Sequence, residues 1–148
     1  IVFLLVMRVV CGDLRYIHQT TVCRIINKCS RIIARHMPQF IHFPRSIQSI
    51  QDLKRQFNRI AGFPNVIGCI DGTHIPIKSP GGPRAENFRN RKGYFSINVQ
   101  IVAGPCLEIL DIVNRWPGST HDSRIFENSA LKMKMENGTL NGILLGDA

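Results

Sequence analysis

The fold is decided by the stretch Val66-Ile67-Gly68-Cys69-Ile70-Asp71-Gly72-Thr73-His74-Ile75. Its first five residues form an apolar run, and the acid Asp71 follows directly. The β-branched residues of this stretch predict a strand over residues 65–77. A carboxylate in or just past a buried strand is costly unless a cation or other partner compensates it. Asp71 is therefore the first candidate for a functional acid, and a turn aspartate in an ordinary Asp-Gly pair is the alternative.

Further strands and a helix are predicted downstream. Residues 94–103 alternate in polarity and predict a second strand, residues 107–113 predict a third, and Gly104-Pro105 forms the turn between them. A helix over residues 123–135 and a short apolar strand at 143–145 follow. The order is that of an α/β domain opening as a partial ribonuclease-H-like fold, strand-strand-strand-helix-strand, although other α/β domains share it.

The first 61 residues predict a helical, helix-turn-helix-like segment. Thr20 is a plausible N-cap for a helix over residues 21–36 that Pro38 would end, and a second helix over 47–61 would stop at Gly62. We interpret the apolar opening, residues 1–7, as the middle of a buried helix and the chain as a fragment at this end. We therefore expect a segment over residues 1–61 and a separate domain over 62–148.

Positive charge is concentrated in that first segment. The net charge is +9, and residues 1–60 hold ten Lys or Arg against two Asp. Arg24 and Lys28 begin a basic stripe at helical spacing that continues through Arg31 and Arg35. A basic module ahead of an acid-bearing one suits a polyanionic partner such as DNA, while a domain that merely happens to be basic is the alternative.

A second basic stretch lies between the first two predicted strands. Residues 78–92 hold one acid, Glu86, and among their bases are Arg84, Arg89, Arg91 and Lys92. A basic loop beside a catalytic site would contact the phosphate backbone of DNA. A solvated loop face is the alternative.

Two more acids complete the candidate site. Asp147 comes after an apolar strand, as Asp71 does, with Gly146 in between. If the two strands are neighbours in one sheet, they would bring the two carboxylates together and favour a divalent metal between them. Asp122 could join them, or could simply favour the start of a helix through the helix dipole. His74 and His121 stand near these acids and could orient a carboxylate, position water or touch a phosphate, or could be structural.

The five cysteines form no Cys-x-x-Cys pair, and their number is odd. This pattern indicates neither a disulfide framework nor a zinc ribbon. We expect reduced, mostly buried thiols.

Four blocks together resemble the PIF/Harbinger transposases and the domesticated nucleases derived from them. They occur in family order, at residues 63–75, 91–94, 116–126 and 144–147, and read Phe-Pro-Asn-Val-Ile-Gly-Cys-Ile-Asp-Gly-Thr-His-Ile, Arg-Lys-Gly-Tyr, Trp-Pro-Gly-Ser-Thr-His-Asp-Ser-Arg-Ile-Phe and Leu-Leu-Gly-Asp. The resemblance implies a nuclease of the DDE superfamily that cuts DNA with Mg²⁺ or Mn²⁺ in a two-metal site. It matches Asp71 to the first catalytic carboxylate, and leaves Asp122 and Asp147 as competing positions for the second.

The same resemblance carries further expectations. The family's final glutamate has no counterpart before Ala148, so we expect a fragment that is inactive alone. A Myb-like DNA-binding partner protein and a nuclear location are implied, and an oligomer is possible. Independently of the resemblance, the apolar opening over residues 1–7 is too short to span a bilayer, so no membrane association is expected.

Two other functions stay open. A domesticated, catalytically silent DNA-binding protein could keep the nuclease fold as a scaffold. A plain basic binding domain without nuclease ancestry would instead have Asp71 and Asp147 on strands that are not neighbours.

Overall fold

The structure is a computed structural model that describes residues 18–147. The apolar opening over residues 1–7 lies outside the described residues, and so does the expectation of a buried helix there. The chain divides into two compact units, residues 1–40 and 41–148.

The described part of the first unit is helix α1, Gln19–Phe40. The predictions of its ends were wrong on both sides, because Thr20 lies within the helix and Pro38 lies inside its last turn. The proline ring fixes φ at a value that a helix accepts, although it removes one backbone N–H donor. The helix therefore continues for two residues beyond Pro38. The basic stripe that begins at Arg24 and Lys28 is exposed and lines one shallow groove.

The second unit begins with helix α2, Ile47–Ala61, which has the predicted bounds. Ser46 is its N-cap, and its side chain accepts a hydrogen bond of 3.0 Å from the backbone N–H of Ser49. Gly62 ends the helix in the left-handed region at φ 72°, where glycine has no steric penalty.

Four strands form one mixed sheet: β1 (Val66–Pro76), β2 (Ser96–Ala103), β3 (Ile109–Pro117) and β4 (Ile143–Leu145). Their spatial order is β3-β2-β1-β4. β2 runs antiparallel to both β1 and β3, whereas β4 runs parallel to β1. The predicted α/β class and order of elements are confirmed, and β3 extends further than predicted, through Trp116 to Pro117.

The helical region between β3 and β4 is divided in two. Helix α3 covers Asp122–Glu127 and helix α4 covers Ala130–Glu136, where a single helix over 123–135 was predicted. Ser129 caps α4 by accepting a hydrogen bond of 3.1 Å from the backbone N–H of Lys132. A side chain that caps a new helix favours a break in the previous one.

The core joins the sheet to helices α2 and α4. Its buried residues are Leu53, Phe57, Val66, Ile67, Val102, Leu110, Leu131 and Leu140. Leu53 and Phe57 of α2 pack in this core, so α2 belongs to the same compact unit as the sheet.

The cysteines are less buried than expected. Cys29, Cys69 and Cys106 are exposed and Cys23 is half-buried, all as free thiols. The prediction of mostly buried thiols was therefore wrong for these residues. Cys69, for example, lies on the face of β1 on which Asp71 and Thr73 are also exposed.

We predict that Ile67→Ala lowers the free energy of unfolding by about 2–5 kcal/mol, since a fully buried side chain leaves a cavity in the sheet core. Urea unfolding followed by circular dichroism measures this loss. Ile60→Ala, at a position that is 66% exposed in α2, is the control and should change stability by less than about 1 kcal/mol. Equal losses in the two variants would contradict the assigned core.

Candidate active site

The parallel pairing of β1 with β4 brings Asp71, in the middle of β1, near the segment that follows β4. Cys69 of β1 pairs with Leu145 of β4. Asp71 and Asp147 each follow two residues later, Asp71 still inside β1 and Asp147 just past β4, so both lie near the sheet edge that β4 forms. In a plain binding domain without nuclease ancestry, these acids were expected to lie on strands that are not neighbours. β1 and β4 are neighbours, which counts against that alternative.

A cavity of about 830 Å³ lies at this edge. All three candidate acids line it, although they come from three separate segments: Asp71, Asp122 and Asp147. Arg91 and His121 also line it. Of the residues predicted as a site from the sequence, these five are brought together.

Asp71 is exposed, because β1 buries only its first three residues. Its Oδ1 accepts a hydrogen bond of 2.7 Å from the backbone N–H of Gly72. The expectation that Asp71 carries a large burial cost was therefore wrong. Exposure leaves its other oxygen available for a ligand.

Asp122 is held directly over Gly72. A Cβ atom built on Gly72 would lie 2.4 Å from the Asp122 carboxylate carbon, far inside contact distance. The side-chain amide of Asn98 donates to Asp122 Oδ1 at 2.6 Å and to the backbone oxygen of Thr120 at 2.8 Å. Gly72 thus makes room for an acid of another segment, and Asn98 orients that acid.

Asn98 belongs to a row of buried polar residues on β2 that was not identified from the sequence. Ser96, Asn98 and Gln100 alternate along the strand and are 0%, 1% and 2% exposed. Of the apolar residues that alternate with them, Val99 is buried, whereas Ile97 and Ile101 are only partly buried. The spacing of Ser-x-Asn-x-Gln was the available signal.

His74 belongs to this polar network. Its Nδ1 lies 3.1 Å from Ser96 Oγ, which also accepts a hydrogen bond of 3.1 Å from the side-chain amide of Asn90. Asn90 is itself buried, and its Oδ1 accepts from the backbone N–H groups of Lys92 and Tyr94. His74 therefore helps to hold the basic loop in shape.

Three buried polar atoms in the described part of the chain have no hydrogen-bond partner: Asn98 Oδ1, Gln100 Nε2 and Trp116 Nε1. Leaving such an atom unpaired costs roughly 1–3 kcal/mol. Gln100 lines the acidic cavity, so its unpaired donor lies beside the candidate site.

The basic residues of the loop differ in their surroundings. Arg91 Nη2 lies 2.7 Å from the ring nitrogens of His121, at the cavity. Arg84 and Lys92 are exposed.

Arg89 has protein partners instead. It pairs with Glu86 at 2.7 Å, donates to the backbone oxygen of Gly93 at 2.8 Å and stacks 4.4 Å over the Phe95 ring. The hydrogen bond from Arg89 lowers the pKa of Glu86. These contacts give Arg89 a part in shaping the loop.

The donor set of the cavity fits an oxygen-preferring divalent cation, since its acids are all aspartates. Within residues 18–147, however, no three His, Cys, Asp or Glu side chains are grouped closely enough to hold one metal ion.

No helix within residues 18–147 has the length and apolarity needed to cross a bilayer.

Comparison with known proteins identifies the class. Residues 70–148 match the family described as DDE superfamily endonuclease, and the chain belongs to that family. The expected resemblance to transposase-derived nucleases is confirmed by its relatives. The chain is 34% identical over 138 residues to the rat protein named "Putative nuclease HARBI1" and equally similar to its cattle counterpart. It is 31% identical over 135 residues to "Protein ALP1-like" of Arabidopsis thaliana.

These alignments cover 93% of the chain but 39% of each mammalian relative, and 90% of the chain but 32% of the plant relative. The chain therefore spans well under half the length of the relatives it matches. No solved structure gives a significant match.

We predict that Gly72→Ala displaces the Asp122 carboxylate from Asn98, because the new methyl group would occupy its place. The carboxylate is the end of a side chain and can move, so stability should fall by only about 0.5–1.5 kcal/mol, the loss of one hydrogen bond. The side-chain amide signal of Asn98 in a nitrogen-15 NMR spectrum reports the displacement. Thr73→Ala, an exposed neighbour in β1, should leave that signal in place. An unchanged Asn98 signal in Gly72→Ala would refute the arrangement.

Proposed function

We propose that this chain forms part of a metal-dependent DNA endonuclease, in which the cavity between β1, β4 and α3 binds the phosphodiester to be cleaved. The observation that supports this most strongly is the convergence of Asp71, Asp122 and Asp147 on one cavity from three segments of the chain. Acids that are distant in sequence and share one cavity are typical of a catalytic centre.

The acids would hold Mg²⁺ or Mn²⁺, the divalent cations that favour carboxylate oxygens. Asp71 and Asp147 are suited to this because each lies two residues beyond the paired residues Cys69 and Leu145 of neighbouring parallel strands. Asp122, oriented by Asn98, would add a third carboxylate or act as the second catalytic acid. When bound, such ions activate an attacking water or 3′-hydroxyl and stabilise the leaving oxygen.

The basic side chains near the cavity would hold the DNA backbone. Arg91 lines the cavity, and Arg84 and Lys92 are exposed on the same loop. Arg89 would support this loop from within through Glu86 and Phe95. In the separate first unit, Arg24 and Lys28 would offer a second phosphate-binding surface along α1.

A catalytically silent DNA-binding protein is the second candidate. It is supported by the exposed basic stripe of α1, whose residues Arg24, Lys28, Arg31 and Arg35 line one groove and need no metal to contact phosphates. The basic groove of α1 would then be the functional surface, and the nuclease fold would be a scaffold.

Several properties of the whole protein are proposed with the endonuclease. They are a nuclear location, a Myb-like DNA-binding partner, possible oligomerisation, and a functional division between residues 1–61 and 62–148.

We predict that the chain binds Mn²⁺ and that Asp71→Asn or Asp147→Asn weakens this binding at least tenfold, because a neutral amide replaces an anionic ligand. Electron paramagnetic resonance of free Mn²⁺ measures the affinity. Asp111→Asn, an acid of the same sheet on β3, is the control and should leave it unchanged. Equal Mn²⁺ binding in all variants would count against the metal site and favour the silent protein.

DNA affinity should fall steeply with salt, because binding releases counterions from the phosphates. Arg91→Ala with Lys92→Ala should weaken binding to all sequences and reduce the slope of log affinity against log salt by about 2. Fluorescence anisotropy at several salt concentrations measures both effects. Arg55→Ala with Arg59→Ala removes the same charge from exposed positions in α2 and should have less effect. Binding that is independent of salt would refute the proposed contact.

A further inference from the structure

Gln100 is a buried polar residue that the proposed metal chemistry does not use. It lies in β2 directly opposite Gly72 of β1, and the residue is only 2% exposed. Its side-chain Nε2 has no hydrogen-bond partner within the described residues. The residue Gln100 lines the cavity that the three acids also line. A buried donor without a partner is rare in a folded protein and calls for a physical explanation.

The neighbouring polar residues of β2 have partners within the protein. Ser96 bonds to His74 and Asn90, and Asn98 holds Asp122. Gln100 is the next residue of this row along β2. Its chain neighbour Ile101 is the residue that pairs with Asp71. The Nε2 donor of Gln100 is buried and unused within the described residues, and Gln100 is one of the residues that line the cavity.

We propose that Gln100 is a substrate-binding residue whose Nε2 donates to a non-bridging phosphate oxygen of DNA in this cavity. The inference rests on the proposed endonuclease function and adds to it the residue that contacts the phosphate from the sheet side.

The chemistry of an amide suits this position. Arg91 is exposed to solvent, but a lysine or arginine at the buried position of Gln100 would be little screened and would pair with the aspartates in competition with a divalent cation. A glutamine carries no charge, so it can donate to a phosphate oxygen while the carboxylates keep their charge for metal ions. Arg91 would balance the phosphate charge from the cavity edge.

The test variant is Gln100→Met, which keeps the side-chain volume and removes the unpaired donor. In the 148-residue chain we expect DNA affinity, measured by anisotropy with a short mixed-sequence duplex and Mn²⁺, to fall about tenfold. Mn²⁺ affinity should be unchanged, and the thermal unfolding temperature should be equal or higher. A merely structural glutamine would instead lower the unfolding temperature when replaced.

A direct readout accompanies this comparison. The Gln100 side-chain amide signals, assigned by their absence in Gln100→Met, should shift when the duplex is added to nitrogen-15 labelled protein. Gln51→Leu, at an exposed position in α2, is the control and should bind DNA as the unaltered chain does.

Unchanged DNA affinity in Gln100→Met, or a Mn²⁺ affinity that falls with it, would overturn the proposal while leaving the endonuclease intact. An unaltered chain that binds Mn²⁺ but shows no Gln100 shift on binding DNA would also overturn it. If the unaltered chain bound neither Mn²⁺ nor DNA, the proposed function itself would fail, and this inference with it.

Discussion

The parallel pairing of β4 with β1 is the interaction on which the candidate site depends. β4 has only three residues. Its pairing with β1 brings Asp147 near Asp71, although the two acids are far apart in the sequence. Parallel neighbours need a crossover connection, and here helices α3 and α4 belong to it. The same crossover carries Asp122 to the cavity, so a single topological feature assembles all three acids.

The sheet serves the site through its polar residues as well as through its core. Val66, Ile67 and Val102 are fully buried and fix the sheet against its helices. Earlier in β2, Ser96, Asn98 and Gln100 are equally buried: Ser96 contacts His74, Asn98 contacts Asp122 and Gln100 lines the cavity. Apolar burial therefore stabilises one end of the sheet, while hydrogen bonds order the other end around the functional groups. This separation lets a polar site exist beside a small core.

The local features were the most accessible to prediction. Helix α2 has the predicted bounds because Ser46 and Gly62 act through bonds within a few residues. The break between α3 and α4 was missed because the cap at Ser129 competes with a continuous apolar pattern. The exposure of Asp71 was missed for a different reason: burial depends on what covers a strand, and β1 is covered only over its first residues.

The sequence by itself determined the family, the order of strands and helices, and the identity of the acids, because these depend on residue type, spacing and order along the chain. Tertiary structure alone decided that Asp122 lies over Gly72, that Asn98 orients it and that Gln100 keeps an unpaired donor beside the acids. Such contacts join residues more than twenty positions apart. They depend on strand register and on the crossover, which no local pattern of residues specifies.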